Sequence, residues 1–171
     1  MTLTKYKSKR NFNGKNKTTE PEGKIKSSGK NVSPERKSKE GSAVGNPGVL
    51  RFVVHDHHAS HHHYDLRLEI NGTLKSWAVP KEPPTEKNIK RLAIQVEDHP
   101  LEYAKFKGTI PEGHYGAGTV KIWDNGTYEL IKKTEKEIEI IFYGKKLKGK
   151  YVLIKTHYGS KPEKSWLFFK L

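Results

Sequence analysis

Residues 51–70 read RFVVHDHHASHHHYDLRLEI, and their second half decides the fold. From His63 the chain alternates: Tyr64, Leu66, Leu68 and Ile70 fall on one face of a strand, and His63, Asp65, Arg67 and Glu69 on the other. The first face reads as core, the second as a wet face able to carry chemistry. Asn71-Gly72 ends the segment and TLKSWAV resumes at Thr73. An Asn-Gly pair between alternating runs is the strongest short hairpin signal, and it sets the register of both strands.

Outward from this hairpin, short turn-bounded segments recur. Strands are expected over 51–55, 64–70, 73–79, 91–97, 119–123, 127–132, 137–143, 150–156 and 165–171, with no long helix between them. In RLAIQVE, Leu92, Ile94 and Val96 alternate with Arg91, Ala93, Gln95 and Glu97, again one apolar face and one polar face. So many close strands point to a mainly β protein, a small closed antiparallel β-barrel with short helical turns in its connections. Closure is preferred because it removes exposed sheet edges. GSAVGNPGV, residues 41–49, is a Gly/Pro hinge. The barrel is therefore expected over 49–171, preceded by a partly disordered basic arm, residues 1–48, in which Arg10, Phe12 and Glu20 could dock on the barrel and bring charge to its site.

The 171 residues suit one domain plus an extension. The formal net charge is +14, more than half of it in the first fifty residues. No amphipathic helix or apolar anchor accompanies this excess, so nucleic acid is favoured over membrane as the polyanionic partner. The chain has no cysteine, which excludes disulfides and thiolate metal sites and leaves His and carboxylate ligands, suited to manganese, zinc, nickel or iron. No apolar leader and no bilayer-length run is present, and a cytoplasmic protein is expected.

Six of the nine histidines lie between His55 and His63. His63 and Asp65, two apart on one strand face, have Cα atoms roughly 6–7 Å apart, a span over which an imidazole and a carboxylate can converge on one ion. Arg67 continues the row, and a cation beside a guanidinium fork suits a phosphate ester, whose nonbridging oxygens the two can share. A solvated strand face carries the same residue types, and a histidine tract can chelate without specificity. Of His61, His62 and His63 at most two can share a face. Lys81 heads the rigid KEPPT turn and could reach the site, with a solvated lysine as the plain alternative. The long connection 97–118, EDHPLEYAKFKGTIPEGHYGAG, is too aromatic for disorder. One helical turn there would put His99, a candidate acid or anion contact, on the same side as Tyr103. GHYGAG lacks the Lys-Ser/Thr ending of a phosphate loop, and its glycines read as a tight turn.

FVV…HYDLRLE, NGTLKSWAVPK, KRLAIQVEDHPLEYAKFKGTIPEGHYGAGTVKIWD and LKGKYVLIKT…KSWLFFKL resemble the 3′-phosphoesterase domain of bacterial DNA ligase D and its stand-alone bacterial and archaeal relatives. The arm segment KRNFNGKNKTTEPEG also looks like that family's N-terminal motif. The resemblance covers nearly all of residues 50–171. It implies a small β-barrel enzyme of DNA repair by end joining that trims 3′ ends of DNA, or of primer-templates ending in ribonucleotides, and works as a monomer with Mn2+, or with Co2+ or Zn2+. A phosphodiesterase step would leave a 3′-phosphate and a phosphomonoesterase step a 3′-OH, beside a separate ATP-dependent DNA ligase and a primase-polymerase. By position the metal ligands would be His57, His63 and Asp65. Arg67, His99 and Tyr103 would attend the scissile phosphate, and Lys81, Arg91, Glu97, Arg10 and Glu20 would support them. Asn11 stands where the family usually has Asp after the arm arginine. His55, His58, His61 and His62 stand where histidine is unusual, and they are expected to lie solvated, with extra metal or nucleic-acid contact as alternatives. Two other classes compete: a non-catalytic nucleic-acid-binding scaffold, and a His-rich metal-binding protein taking several ions.

Overall fold

The computed structural model describes residues 49–159 and 161–171. Among them are nine strands: β1 (Leu50–His58), β2 (His63–Ile70), β3 (Thr73–Val79), β4 (Lys90–His99), β5 (Gly108–Ile110), β6 (Gly118–Lys133), β7 (Glu137–Tyr143), β8 (Lys148–Lys155) and β9 (Ser165–Lys170). All paired strands run antiparallel, in the order β1-β2-β3-β4-β9-β8-β7-β6, and β6 pairs back onto β1 to close an eight-stranded barrel. The short β5 adds to β6 outside that ring.

The hairpin that decided the fold forms as expected. Asn71 and Gly72 both have positive φ, 51° and 75°, which is the backbone a type I′ turn needs, and Ile70 pairs with Thr73. Leu66, Leu68, Ile70, Trp77 and Val79 point into the barrel, where they meet Phe52, Val54, Tyr128, Ile140, Phe142, Tyr151 and Phe168. Aromatic edges fill the space: Trp77 lies 6.0 Å from Trp166 and Phe142 lies 5.2 Å from Tyr151, both nearly perpendicular.

Two segments depart from expectation. The strands expected over 119–123 and 127–132 are one 16-residue strand, β6. The intervening Asp124-Asn125-Gly126 is no turn, because the Asp124 carboxylate is buried and accepts backbone N–H groups from Asn125, Lys145, Lys146 and Leu147 at 2.8–3.0 Å. It therefore clamps the β7–β8 turn onto β6. Register slips once against β1, between Val54 and His55, which absorbs the irregularity as a bulge. In β4 it is Ala93 that is fully buried in the core, while Leu92, Ile94 and Val96 are only half-buried. Ile94 pairs with Ala78 and Val96 with Ser76, so this apolar row lies on the outer face of the barrel wall.

Among the described residues, no helix is long and apolar enough to cross a membrane. The arm expected over 1–48, with Arg10 and Glu20, lies outside the described residues.

Candidate metal centre and its phosphate-binding surround

The period of β1 and β2 builds the site. His57 pairs with His63, His55 with Asp65 and Val53 with Arg67, so one histidine row and one mixed row share the outer face of the wall. On β3, Ser76 lies opposite Arg67. This face is not wet, contrary to the expectation from the alternation. Asp65 is 6% and Arg67 3% exposed, because the connection after β4 folds back over them. A 3-10 turn, Leu101–Lys105, sits in that connection and packs Tyr103, Leu101, Ala104 and Phe106 around Leu74. A charged row on one strand can thus be buried by a roof contributed from a distant part of the chain.

His57, His63 and Asp65 each offer one ligand atom, all within 4.8 Å of one another. His57 Nδ1 lies 3.4 Å from Asp65 Oδ2, and His63 Nε2 lies 3.7 Å from Oδ1. The other nitrogens are committed to carbonyls: His57 Nε2–H donates to Gly116 O at 3.0 Å, and His63 Nδ1–H to His61 O at 2.8 Å. Each carbonyl selects the tautomer whose lone pair faces the carboxylate, which is how histidine ligands are held in metal proteins. Two imidazoles and one carboxylate fit a divalent transition ion with coordination positions left open, so the residues present suit the metal that the resemblance implies. Burial alone would raise the Asp65 pKa, but Arg67, the His57 hydrogen bond and the imidazoles outweigh it and hold the carboxyl well below the usual range.

Arg67 is the hub of the site. Its Nη2 donates to Asp65 Oδ2 at 3.1 Å, its Nη1 to Ser76 Oγ at 2.8 Å, and its Nε to His55 Nδ1 at 3.3 Å. His99 Nδ1 lies 2.8 Å from Nη1 and 2.9 Å from the Glu97 carbonyl. Arg67 can only donate, so an Nδ1 lone pair meets it and leaves the proton on Nε2, whereas an Nδ1–H would go to Glu97 instead. The Tyr103 ring lies 4.9 Å from the Arg67 carbon and 5.0 Å from the His99 ring, as the single helical turn between them requires. With these bonds made, one Nη2 N–H of the guanidinium has no partner among the described residues.

His55 is missed by reading the tract as solvated. It is fully buried, edge-on to Tyr103 at 5.8 Å, and burial followed by the Arg67 charge lowers its pKa to about 4. It is therefore a neutral acceptor for Arg67, and its shared period with His57 was the available signal. Ser76 and the Gly116 carbonyl were also missed; neither carries a pattern in the sequence. Gly118, φ 137°, closes the glycine-rich turn, and any side chain there would collide with the His58 carbonyl. His58, His61 and His62 are exposed, as expected.

Lys81, Arg91 and Glu97, expected to support the site, line two surface depressions. Lys81 and Arg91 share a depression with Pro80, Lys90 and Leu92, and Arg91 Nε donates to the Glu82 carbonyl at 2.9 Å. Glu97 lines a groove of about 430 Å³ with Ile94, Gln95, Val96, Tyr115, Lys161 and Lys164, running along the outward row of β4.

Comparison with known proteins converges on one family. Residues 55–155 match the model of the DNA Ligase D 3′-phosphoesterase domain. The multifunctional non-homologous end joining protein LigD of Pseudomonas aeruginosa is 43% identical over 173 aligned positions, covering 98% of this chain and 18% of the relative. The multifunctional non-homologous end joining DNA repair protein LigD of Mycobacterium tuberculosis is 50% identical over 110 positions, 62% of this chain and 14% of the relative. LigD of Mycolicibacterium smegmatis is 42% identical over 149 positions, 81% of this chain and 19% of the relative. The chain thus spans less than a fifth of the length of these relatives.

Proposed function

The chain belongs to the DNA ligase D 3′-phosphoesterase family, and from that premise we propose that it is a metal-dependent hydrolase that processes 3′ ends of DNA during end joining. A phosphodiesterase step releases a 3′-terminal ribonucleoside or deoxyribonucleoside and leaves a 3′-phosphate. A phosphomonoesterase step converts that phosphate to a 3′-OH. His57 through Nδ1, His63 through Nε2 and Asp65 through its carboxylate would hold the ion, Mn2+ in this reading, with Co2+ or Zn2+ as alternatives.

One observation carries the reading: both imidazoles are pinned by backbone carbonyls so that their free nitrogens face Asp65, directly beside a buried arginine. A solvated strand face has no physical reason for that arrangement. When bound, the ion polarises a phosphoryl oxygen and lowers the pKa of a bound water. The protein supplies the rest. Arg67 offers its fixed charge and remaining N–H to the phosphoryl oxygens. His99, in the tautomer that accepts from Arg67, donates its Nε2 proton to the leaving oxygen. Tyr103 covers the guanidinium and keeps water from it. The β4 groove suits the strand that bears the 3′ end, since Lys161 and Lys164 line it and can meet phosphates. Lys81, Arg91 and Glu97 support the site from its flanks, and Arg10 and Glu20 would reach it from the arm. The relatives are named as multifunctional end-joining proteins and exceed this chain several-fold in length, which supports partnership with a separate ATP-dependent DNA ligase and a primase-polymerase. A cytoplasmic monomer fits this role.

The test is a 5′-labelled primer–template ending in one ribonucleotide, incubated with Mn2+ or with chelator. Shortening to a 3′-phosphate and then a 3′-OH, only with Mn2+, is expected. Intact primer under every divalent ion, with binding retained, would overturn the reading in favour of a non-catalytic scaffold.

A further inference from the structure

The same tract holds a second constellation, on the other side of the wall from the first. Asp56 and His58 are two apart on β1 and so share the face that carries Val54 into the core; at the barrel mouth that face opens to solvent. The chain reverses at Ala59-Ser60 and brings His62 back beside them. His62 Nε2 lies 2.6 Å from Asp56 Oδ1, and His58 Nε2 lies 3.2 Å from the same oxygen. The two rings stack at 4.3 Å with 17° between their planes, so both Nε2 atoms approach the carboxylate side by side. The ligand atoms of the three residues all lie within 4.8 Å of one another.

From this geometry we propose that Asp56, His58 and His62 form a second metal site, separate from the phosphoesterase centre, that takes a divalent transition ion of the zinc or nickel class. Two imidazoles and a carboxylate are the right donors for such an ion, and hard-ligand cations such as Mg2+ or Ca2+ are disfavoured by the nitrogen pair. The side chains of His58 and His62 are 51% and 46% exposed, so the rings have room to tilt their lone pairs onto one point and the ion has open access from solvent. A wall of aromatic rings backs the site: His62 packs on Tyr64 at 5.2 Å, and Tyr64 on Trp123 at 5.8 Å. Lys146 places its ammonium 4.2 Å over Trp123, and Lys121 is the cross-strand partner of Asp56 on β6.

Asp56 and His57 are neighbours in the chain but project to opposite faces, so the two sites cannot share one phosphate. The second ion has a structural consequence instead. It ties the end of β1 to the returning chain across residues 59–62, and the carbonyl of His61 in that turn is the acceptor that orients His63. Occupancy at the mouth thereby stiffens one ligand of the centre on the outer face.

The experiment is equilibrium dialysis of the chelator-stripped full chain against Zn2+, with metal counted by mass spectrometry in four proteins: native, Asp65→Asn, His58→Ala/His62→Ala, and the triple variant. Replacing His58 and His62 should lower bound Zn2+ by about one equivalent per chain in both the native and Asp65→Asn backgrounds. Equal Zn2+ with and without the two histidines overturns the second site. The Asp65→Asn comparison reports separately on the outer-face centre, so failure of that centre and failure of this one give different patterns. Circular dichroism spectra of the same samples check that each variant is folded, and the two exposed histidines of the mouth site lie outside the hydrophobic core.

Discussion

Asp65 and Asp124 are buried almost equally, at 6% and 3% exposure, yet the barrel treats them in opposite ways. Asp124 is saturated by four backbone N–H groups, three of them from one turn, and a carboxylate so held is a structural clamp. Asp65 is surrounded by side chains that are themselves positioned: two imidazoles, a guanidinium and, through it, Ser76 and His99. Burial therefore does not distinguish a structural acid from a functional one. The source of the donors does, because backbone donors leave no lone pairs for a ligand, whereas imidazole lone pairs aimed at a carboxylate leave a place for a cation.

Exchanging the two acids for neutral residues should separate these roles. Asp65→Asn is expected to lower Mn2+-dependent 3′-end cleavage on the order of a thousandfold, while the thermal transition moves little because the amide oxygen still accepts from Arg67. Single-turnover cleavage and a melting curve on the same sample check this, and a large drop in melting temperature would move Asp65 towards the structural class. Asp124→Ala should do the reverse. It strands buried N–H groups and should cost about 3 kcal/mol or more in urea unfolding, with cleavage per folded molecule unchanged.

A third prediction concerns pH. His55 is held neutral, with a pKa near 4 in the folded chain against 6.5 in the unfolded one. The unfolded state thus takes up a proton first as pH falls. Stability from this residue is complete above about pH 6.5 and declines down to about pH 4, by about 3 kcal/mol in all. Urea unfolding of the chelator-treated chain across that window should show the decline, and His55→Asn should flatten it. The smallest effect is expected at Gly144, where an added Cβ would sit 2.5 Å from Asp124 Oδ2 and 2.6 Å from Phe52 Cζ. Gly144→Ala should cost roughly 1–3 kcal/mol, and less than that in the Asp124→Ala background.

Much of this was legible in the chain. Period-two alternation around His63–Ile70 and the Asn71-Gly72 pair placed the hairpin, and the number of such segments pointed to a closed barrel. What escaped the sequence depended on distant partners. Three of the four Asp124 donors lie 21 to 23 residues on, so Asp124-Asn125-Gly126 looked like a place where a strand stops. The outer face of β2 looked wet because its cover, the turn around Tyr103, arrives from beyond β4. His55 looked solvated for the same reason. In β4 the apolar row lines an outside groove, which alternation alone cannot distinguish from a row facing the core.

The seam between β1 and β6 also sets an order of events in folding. The β1–β2–β3 meander needs only short loop closures, and it gathers Asp65, Arg67, His55 and Ser76 as soon as it forms. The Gly116 carbonyl that orients His57 lies 59 residues away from it and is delivered by the stretch leading into β6, whose docking shuts the ring. Pairings of such long range form late and slowly. The arginine cluster thus needs only the local meander, while the carbonyl that orients His57 arrives at closure, so a partly opened barrel carries the charge of the finished protein with one proposed ligand still unoriented.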